Sequence, residues 1–299
     1  MKLKKILVPV DFSKTSDKAV DYALFLAEKY RAKVTLFHAV VLLQEDVDED
    51  EHLKAYETII EKKEEKRRKY LKSHEAKGAR LGVQIDSVLM RGITPAETIL
   101  NFIEDKKFDV IVIGTHGLSE LMKWWLGSVA EKIVRYSPIP VITVHKDFKR
   151  KPAIRKVLFP VDLSEHSKMA VKKGMRLIST FDAKPTLMFV VEQQQHPFYY
   201  MQSSEPILKS NPALKKQLMK NLMAMAGSQK EKAAYHLAEG KPHKQIEAYA
   251  NTKNIDLIIM ASHGMSGLEH FLIGSNTERV VNVAPCPVLT IPVRSQQKK

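Results

Sequence analysis

The stretch FDVIVIGTHG, residues 108–117, decides the fold, because it returns later in the chain as IDLIIMASHG, residues 255–264. The separation is 147 residues. Two further blocks return in the same order: KILVPVDFS at 5–13 returns as KVLFPVDLS at 156–164, and PIPV at 138–141 returns as PCPV at 285–288. Several blocks in one order at nearly one separation indicate an internal duplication.

The duplication predicts two domains. A chain of 299 residues has about the length of two domains. The polar stretch Lys146–Ala153, which is rich in Lys and Arg, separates the copies. We therefore predict a first domain at residues 1–148 and a second at 153–299.

Each copy alternates short apolar runs with helical patterns. The runs are rich in Val, Ile and Leu and predict strands buried on both faces. In the first copy they are Ile6–Val10, Val34–Val40, Ile85–Met90, Val110–Ile113 and Val141–Val144. Alternating strands and helices predict an α/β fold, here two doubly wound parallel sheets with right-handed crossovers. Ligands of such sheets bind beyond the carboxyl ends of the strands, where the strand order reverses.

The last strand of each copy predicts how the copies associate. Val141–Val144 and Val288–Ile291 are apolar and terminal. An unpaired apolar edge favours pairing with another strand. We therefore predict that the two copies pair these edges and pack as a pseudo-dimer within one chain. A further homodimer is left open.

Composition excludes several classes of protein. One cysteine, Cys286, excludes an internal disulfide framework and a cysteine-based zinc site, and it fits a cytoplasmic protein. No apolar run is long enough to span a membrane, and Asp11 interrupts the apolar run near the start, which predicts no signal peptide.

The net charge of +14 is unevenly placed. Residues 1–150 hold 27 Lys and Arg against 23 Asp and Glu, and residues 151–299 hold 21 against 11. No nucleic-acid motif or pattern of Arg with aromatic residues accompanies this excess, which argues against a nucleic-acid partner. We interpret the charge as a lysine-rich solvated surface. Within the basic half, we interpret Met201, Met219, Met223 and Met225 as adaptable packing residues.

A glycine pattern follows the fourth strand. It reads Gly114-x2-Gly117-x9-Gly127-Ser128, and a helical pattern starts after it. Glycines permit positive φ and a close approach of the backbone to a ligand. Successive N–H groups and a helix N-terminus together favour a phosphate. A structural alternative stays open, because Ser128 with Glu131, and Ser275 with Glu278, match the capping box. Asp11 and Asp162 precede helices and match simple helix caps.

The glycine pattern, the opening ILVPVDFS and the strands TLFHAV and PVITV together resemble the universal stress protein family, twice along nearly the whole chain. The resemblance implies a tandem stress-response protein that binds ATP, with Mg²⁺ held through the phosphates. It also implies adenine and ribose contacts by Pro9, Val10, Asp11 and Ala39 in the first copy. The phosphate contacts that it implies there are Gly114, Thr115, His116, Gly117, Gly127, Ser128 and Val129.

In the second copy the matching positions are Asp162, Val190, Ser262, His263, Gly264, Gly274, Ser275 and Asn276. Ala261 stands where the first glycine is expected. An alanine there strains a positive φ or crowds a phosphate, so we expect the first copy to be the better ATP site.

The sequence argues against strong catalysis. No Walker lysine follows the glycines, and neither His116 nor His263 has a Ser or Asp nearby with a clear role. We expect an ATP-binding regulator with slow hydrolysis at most. The alternatives are an interaction scaffold that binds no nucleotide and a weak nucleic-acid binder.

Overall fold

The computed structural model describes residues 3–41, 50–117, 126–192, 206–263 and 273–292. Gly264 and Met201 lie outside these residues. The chain folds into two compact units, a first that ends at Lys146 and a second that starts at Asp147. We refer to them as unit one and unit two.

Unit one contains a parallel sheet with helices along its crossovers. Its elements are β1 (Lys5–Pro9), α1 (Lys14–Tyr30), β2 (Lys33–Val41), α2 (Asp50–Arg80), β3 (Ile85–Gly92), α3 (Pro95–Asp105), β4 (Val110–Gly114), α4 (Ser128–Tyr136) and β5 (Val141–Val144). The strand order is β3-β2-β1-β4-β5, and each neighbouring pair is parallel. The order reverses between β1 and β4, and this is the place where doubly wound sheets bind ligands.

Unit two repeats this arrangement. Its elements are β6 (Lys156–Val161), α5 (Glu165–Ile178), β7 (Lys184–Val191), α6 (Ile207–Ser210), α7 (Pro212–Met225), β8 (Ala234–Glu239), α8 (Pro242–Lys253), β9 (Leu257–Ala261), α9 (Ser275–Val283) and β10 (Val288–Ile291). The strand order is β8-β7-β6-β9-β10, again parallel throughout. The predicted α/β fold with two parallel sheets is confirmed.

Burial explains why the central strands were easy to predict. Every residue of β4, β5, β9 and β10 is buried, as expected for strands covered by helices on both faces. The prediction is wrong for β3, where no residue is fully buried, and β8 resembles it. Both are the third strand of their unit and lie at the end of its strand order opposite β5 or β10.

Side chains cap four of the described helices, α1, α3, α5 and α7. The Ser13 hydroxyl accepts a hydrogen bond from Ser16 N in α1, and Ser164 does the same for Ser167 N in α5. Thr94 caps α3. The helices α4 and α9 differ, because their N-caps are Gly127 and Gly274. These two helices therefore begin without a capping side chain.

Among the helices that the structure describes, none is long and apolar enough to cross a membrane.

Candidate functional site

A cavity of about 450 Å³ opens at the carboxyl ends of β1, β2 and β4 in unit one. This volume lies within the range of small-molecule sites, which is roughly 300–1,000 Å³. The cavity brings together every residue predicted for the first copy: Pro9, Val10, Asp11, Ala39, Gly114, Thr115, His116, Gly117, Gly127, Ser128 and Val129. Residues almost 120 positions apart in sequence thus line one concave site at the switch point of the sheet.

Backbone hydrogen bonds close the loop between β4 and α4. Thr115 N donates to Val144 O over 3.0 Å, and Gly127 N donates to Thr115 O over 2.7 Å. The second bond returns the start of α4 to the end of β4. Thr115 Oγ1 and His116 Nδ1 lie 2.8 Å apart, which orients the imidazole beside the loop. Both described ends of the loop are therefore fixed at the cavity wall.

The glycines of this loop lack the expected positive φ. The described glycines with positive φ are Gly82, Gly227 and Gly240, so the expectation of positive φ in the loop is wrong. Glycine is needed at these positions because there is no space for a side chain. A Cβ on Gly117 would lie 2.5 Å from Asp11 Oδ2, and one on Gly127 would lie 3.1 Å from Thr115 O. The glycines let the loop approach the end of β1 and its own first turn.

The capping-box interpretation of Ser128 is wrong. Gly127 is the N-cap of α4, so Ser128 occupies the first helical position and its side chain is exposed. The N–H groups of residues 128–130 precede the first full helical turn, and a glycine cap offers them no side-chain acceptor. In unit two, Gly274 is likewise the N-cap of α9, so the capping-box interpretation of Ser275 is also wrong. Both helices begin with N–H groups directed out of the helix beside a glycine.

Asp11 is not the cap of α1, because Ser13 has that role. Asp11 Oδ1 instead accepts a hydrogen bond of 3.1 Å from Ser13 N. Between them, Phe12 has a φ of 67°, which is uncommon for a bulky residue, and Leu163 repeats this in unit two with 63°. The turn brings the Asp11 carboxylate and the Phe12 ring to the cavity.

Sequence reasoning missed ten residues of the cavity, most of which come from β2 and from the surrounding helices. These residues are Phe12, Ser16, Phe37, His38, Val41, Arg67, Pro95, Ile99, Ile113 and Ala130. Apolar residues such as Ile99 match ordinary core positions in the sequence. Arg67 lies among many other charged residues of α2, where periodicity gives no signal that distinguishes it.

His38 is held as a neutral imidazole in the cavity wall. Its Nδ1 lies 2.7 Å from Val10 O, and since a carbonyl only accepts, Nδ1 carries the proton. Burial lowers the pKa of His38, and the positive charge of Arg67 lowers it further. The hydrogen bond to Val10 O opposes that shift without reversing it. His38 therefore ties β2 to the end of β1 without adding charge.

The helix α2 is fixed to α1 beside the cavity. The Tyr70 hydroxyl donates to Asp17 Oδ1, and His74 Nε2 lies 3.3 Å from the same oxygen. The Phe12 ring meets the Tyr70 ring edge-on, with centroids 4.6 Å apart. Arg67 lies about one turn before Tyr70, so these contacts hold a guanidinium at the cavity.

Unit two places most of its predicted residues at the corresponding sheet edge. Asp162 follows β6, Val190 lies in β7, Ser262 and His263 follow β9, and Gly274, Ser275 and Asn276 begin α9. The backbone hydrogen bonds of the loop are the same as in unit one. Ser262 N donates to Ile291 O over 3.0 Å, and Gly274 N donates to Ser262 O over 2.8 Å. Ser262 Oγ lies 3.0 Å from His263 Nδ1.

The carboxylate of unit two is engaged more fully by its own turn. Asp162 Oδ1 accepts hydrogen bonds from Ser164 N at 3.1 Å, Ser164 Oγ at 2.6 Å and Ser167 Oγ at 2.5 Å. In unit one the corresponding Ser16 hydroxyl donates to Ser13 O instead. The two units therefore differ in the acceptor to which this serine hydroxyl donates.

Ala261 does not have the effect expected from the sequence. The corresponding Gly114 has no positive φ, so an alanine there carries no backbone strain. A Cβ on Gly114 would lie 2.8 Å from Thr15 Cγ2, on the side of α1. The position therefore controls how closely α1 packs on β4, and neither reason given for phosphate exclusion applies.

The described residues contain no group of three or more His, Cys, Asp or Glu side chains that could hold a metal ion.

Comparison with known proteins identifies relatives of both units. The family model described as "Universal stress protein family" matches residues 2–145 and 153–292. A universal stress protein of Methanocaldococcus jannaschii is 35% identical over 149 residues, which cover 49% of this chain and 84% of the relative. One from Synechocystis is 24% identical and covers 96% of this chain and 99% of its own. The crystal structure of a universal stress protein from Archaeoglobus fulgidus covers 98% of this chain and 99% of its own, with 21% identity and a TM-score of 0.68.

Proposed function

Since the chain belongs to the universal stress protein family, with two tandem domains, we propose that it is an adenine-nucleotide-binding stress regulator whose site is the cavity of unit one. The ligand is ATP, and the chain binds it without strong catalysis. We further propose the domain limits 1–148 and 153–299 and the site residues named from the sequence in both units.

One observation carries the proposal. The residues that the family resemblance implies, in the glycine pattern and at two strand ends, line a single cavity of about 450 Å³. That cavity lies at the switch point of a doubly wound sheet, where such sheets bind nucleotides.

The phosphate end of the cavity is the start of α4. The N–H groups of residues 128–130 and the positive end of the helix dipole favour an anion there. Gly117 lets the loop come close to Asp11, since any side chain at that position would collide with the carboxylate. Ser128 adds an exposed hydroxyl within reach of a terminal phosphate.

The base and ribose occupy the other end, formed by β1 and β2. Asp11 supplies a carboxylate for the ribose hydroxyls, and the backbone near Ala39 faces the base. Apolar walls from Ile99, Ile113 and Phe37 cover the faces of an aromatic ring. The site therefore offers an apolar slot for a base at one end and N–H donors for phosphates at the other.

Arg67 adds the positive charge that the glycine loop lacks. It lines the cavity from α2, and a guanidinium pairs with phosphate oxygens through more than one N–H. Mg²⁺ would reach this site on the phosphates, since ATP carries the oxygen ligands that magnesium prefers.

Calorimetry with ATP, AMP and adenosine on the full chain tests the proposal. We expect saturable ATP binding, weaker binding of AMP and the weakest binding of adenosine, because each loss of phosphate removes contacts with α4 and Arg67. Arg67→Ala is expected to narrow the difference between ATP and AMP. The exposed Arg68, on the same helix, provides the matched control as Arg68→Ala.

If neither co-purified nucleotide nor a thermal shift with ATP is found, the protein is an interaction scaffold of the same fold and the proposal fails. If adenosine binds as tightly as ATP, the cavity is a nucleoside site and the assignment of the phosphates to α4 is wrong.

A further inference from the structure

A second cavity lies in unit two, and none of the predicted nucleotide positions lines it. It is a groove of about 960 Å³ along α6 and α7. Its apolar lining is Leu208, Pro212, Met219, Met223 and Ala224, and its lysines are Lys209, Lys215, Lys216, Lys220 and Lys230. We call this cavity the lysine groove.

The lysine groove has one sign of charge. Residues 206–230 contain those lysines and neither Asp nor Glu. Lys215, Lys216 and Lys220 are exposed. A positive rim around an apolar floor raises the local concentration of acidic partners. The groove also accounts for part of the charge excess in the second half of the chain.

The apolar floor is a second face of α7. Leu222 and Met225 are buried toward the core of unit two and give the helix its inward face. Met223, by contrast, is 40% exposed, and Met219 is half-buried in the groove. Within this chain Met223 is therefore not a packing residue, and that interpretation is wrong. Unbranched methionine side chains suit a surface that adapts to a partner.

Unit one shows that the fold does not require such a groove. The corresponding crossover of unit one is α2, where charges of both signs pair, as in Lys69 with Glu65 at 2.9 Å. Arg91 pairs with Glu64 on the same helix at 3.0 Å. The two units share a fold, so the run of lysines without Asp or Glu at residues 206–230 is a feature of this crossover in unit two, and one of them, Lys230, pairs with Glu231 at 3.9 Å.

Contacts with β8 hold both ends of the groove. The Glu239 carboxylate accepts hydrogen bonds from Ile207 N at 2.8 Å and Leu208 N at 2.6 Å, which fixes α6. At the other end, the Tyr235 hydroxyl donates to Lys230 O at 2.7 Å. The groove is therefore formed in advance, which reduces the entropy lost on binding.

We infer that the lysine groove is a docking site for an acidic amphipathic helix of a partner protein. The 14 residues of α7 span about 21 Å. Along that length the groove has an apolar floor that includes Pro212, Met219 and Met223 beside exposed lysines. The groove therefore admits the apolar row of a helix and leaves its flanks outside, beside the lysines.

The spacing of the lysines matches such a partner. Lys216 and Lys220 are one helical turn apart, about 6 Å along α7. Carboxylates at positions i and i+4 of an antiparallel or parallel helix have the same spacing. Nucleic acid fits less well, because the groove lining contains neither aromatic residues for base stacking nor arginine. An anionic membrane also fits less well, because the groove is concave.

The test uses the full chain and a fluorescein-labelled synthetic helix of about 18 residues, with Leu at i, i+3, i+4 and i+7 and Glu or Ala elsewhere. We expect saturable binding by fluorescence anisotropy that weakens with salt. The triple variant Lys215→Glu, Lys216→Glu, Lys220→Glu is expected to weaken binding about tenfold or more. Met219→Gln with Met223→Gln tests the apolar floor without changing the charge.

The matched control is Lys62→Glu, Lys66→Glu, Lys72→Glu, which makes the same charge change on exposed residues of α2. It should bind as the parent does, and circular dichroism checks that every variant is folded. The inference would be overturned if a peptide of the same composition in scrambled order bound as tightly as the amphipathic one. No binding of the amphipathic peptide would also overturn it, as would a loss of affinity in the control variant equal to that in the groove variant. Lysine-dependent binding to vesicles with about 30% phosphatidylserine but not to the peptide would assign the groove to a membrane instead.

Discussion

Gly117 illustrates how one missing methyl group shapes the proposed site. A Cβ at this position would lie 2.5 Å from Asp11 Oδ2, closer than real Cβ atoms come to other atoms. Gly117→Ala must therefore displace the loop or the carboxylate, both of which line the cavity. We predict that calorimetry will show weaker ATP binding by about tenfold, with a small change in melting temperature.

Gly114→Ala provides the contrast to this variant. Its Cβ would meet Thr15 of α1, so we expect the larger loss in the free energy of unfolding and the smaller loss in affinity. Gly264→Ala in unit two should leave ATP affinity unchanged. Loss of affinity only in Gly264→Ala would place the nucleotide in unit two and contradict the assignment.

The buried His38 predicts how stability depends on pH. Burial and the charge of Arg67 lower its pKa in the folded protein below the ordinary value of 6.5. The unfolded chain therefore binds more protons just below pH 6.5, so the contribution of His38 to stability is fully present above that pH. It is lost as the pH falls through the lowered folded pKa.

His38→Asn removes this titration while its side-chain amide can still donate to Val10 O. We predict that its unfolding free energy, measured in urea from pH 8 to pH 5, falls less steeply than that of the parent. A residual slope is expected, because burial also lowers the pKa values of His236, His243 and His263. Parallel curves for variant and parent would show that His38 does not titrate as argued.

At the scale of elements, several helices have capping side chains, whereas α4 and α9 begin at a glycine. Ser13 caps α1 through Ser16 N at 3.1 Å, and Ser128 caps nothing, since Gly127 precedes α4. We predict that Ser13→Ala costs about 1 kcal/mol of stability, as is typical for a lost cap. Ser128→Ala should cost less than about 0.5 kcal/mol, as expected for an exposed position.

The same pair of variants separates stability from binding. If the Ser128 hydroxyl contacts a terminal phosphate, Ser128→Ala narrows the affinity difference between ATP and AMP, and Ser13→Ala does not. Melting temperatures in buffer, AMP and ATP measure both effects. An equal decrease for Ser128→Ala in all three conditions would identify Ser128 as a purely structural residue.

The elements that the sequence predicted well are those whose pattern depends on burial alone. β4 and β5 have mainly apolar sequences because helices cover both faces of the sheet. The internal duplication also predicts the position of each strand a second time, in the second copy. β3 was predicted as an element, but its exposure was not, since Ile85 and Val88 look apolar whether or not a helix covers them. Burial at a sheet end depends on neighbours that no local pattern records.

For the candidate site, the sequence predicted the residues on the loops but not those on α2. Strand ends and glycine spacing locate Asp11 and Gly117 because the topology brings strand ends together. Arg67 reaches the cavity only through the packing of α2 on α1 by Tyr70 and Asp17. That packing depends on long-range contacts, so a single helix with mixed charges gives no indication of which residue faces the ligand.

At the scale of the whole molecule, two parallel sheets each end in a buried apolar strand, β5 in unit one and β10 in unit two. The sequence predicts that these edges pair within one chain, and this stays a prediction. A separate fragment of residues 1–148 would then expose its edge, so we expect it to dimerise or aggregate in light scattering. A stable monomeric fragment would contradict the pairing.

The two units also predict how many nucleotides one chain binds. In unit one the backbone around Ala39 and the Asp11 carboxylate line the cavity. In unit two the larger Val190 replaces Ala39, and Asp162 Oδ1 already accepts hydrogen bonds from Ser164 and Ser167. A ribose hydroxyl would have to compete with those donors, and the valine would narrow the slot for a base.

We therefore predict one ATP per chain in calorimetry, with the site in unit one. Ala39→Val gives unit one the residue of unit two and should weaken ATP binding about tenfold, since an added methyl or two in a packed slot is costly. Val190→Ala is the matched control, which changes the same position of unit two and should leave the affinity of the first site unchanged. Two equal sites in the parent protein would show that these differences do not decide occupancy. If Val190→Ala creates a second site, the valine side chain prevents ATP binding in unit two, and the hydrogen bonds from the serines to Asp162 do not.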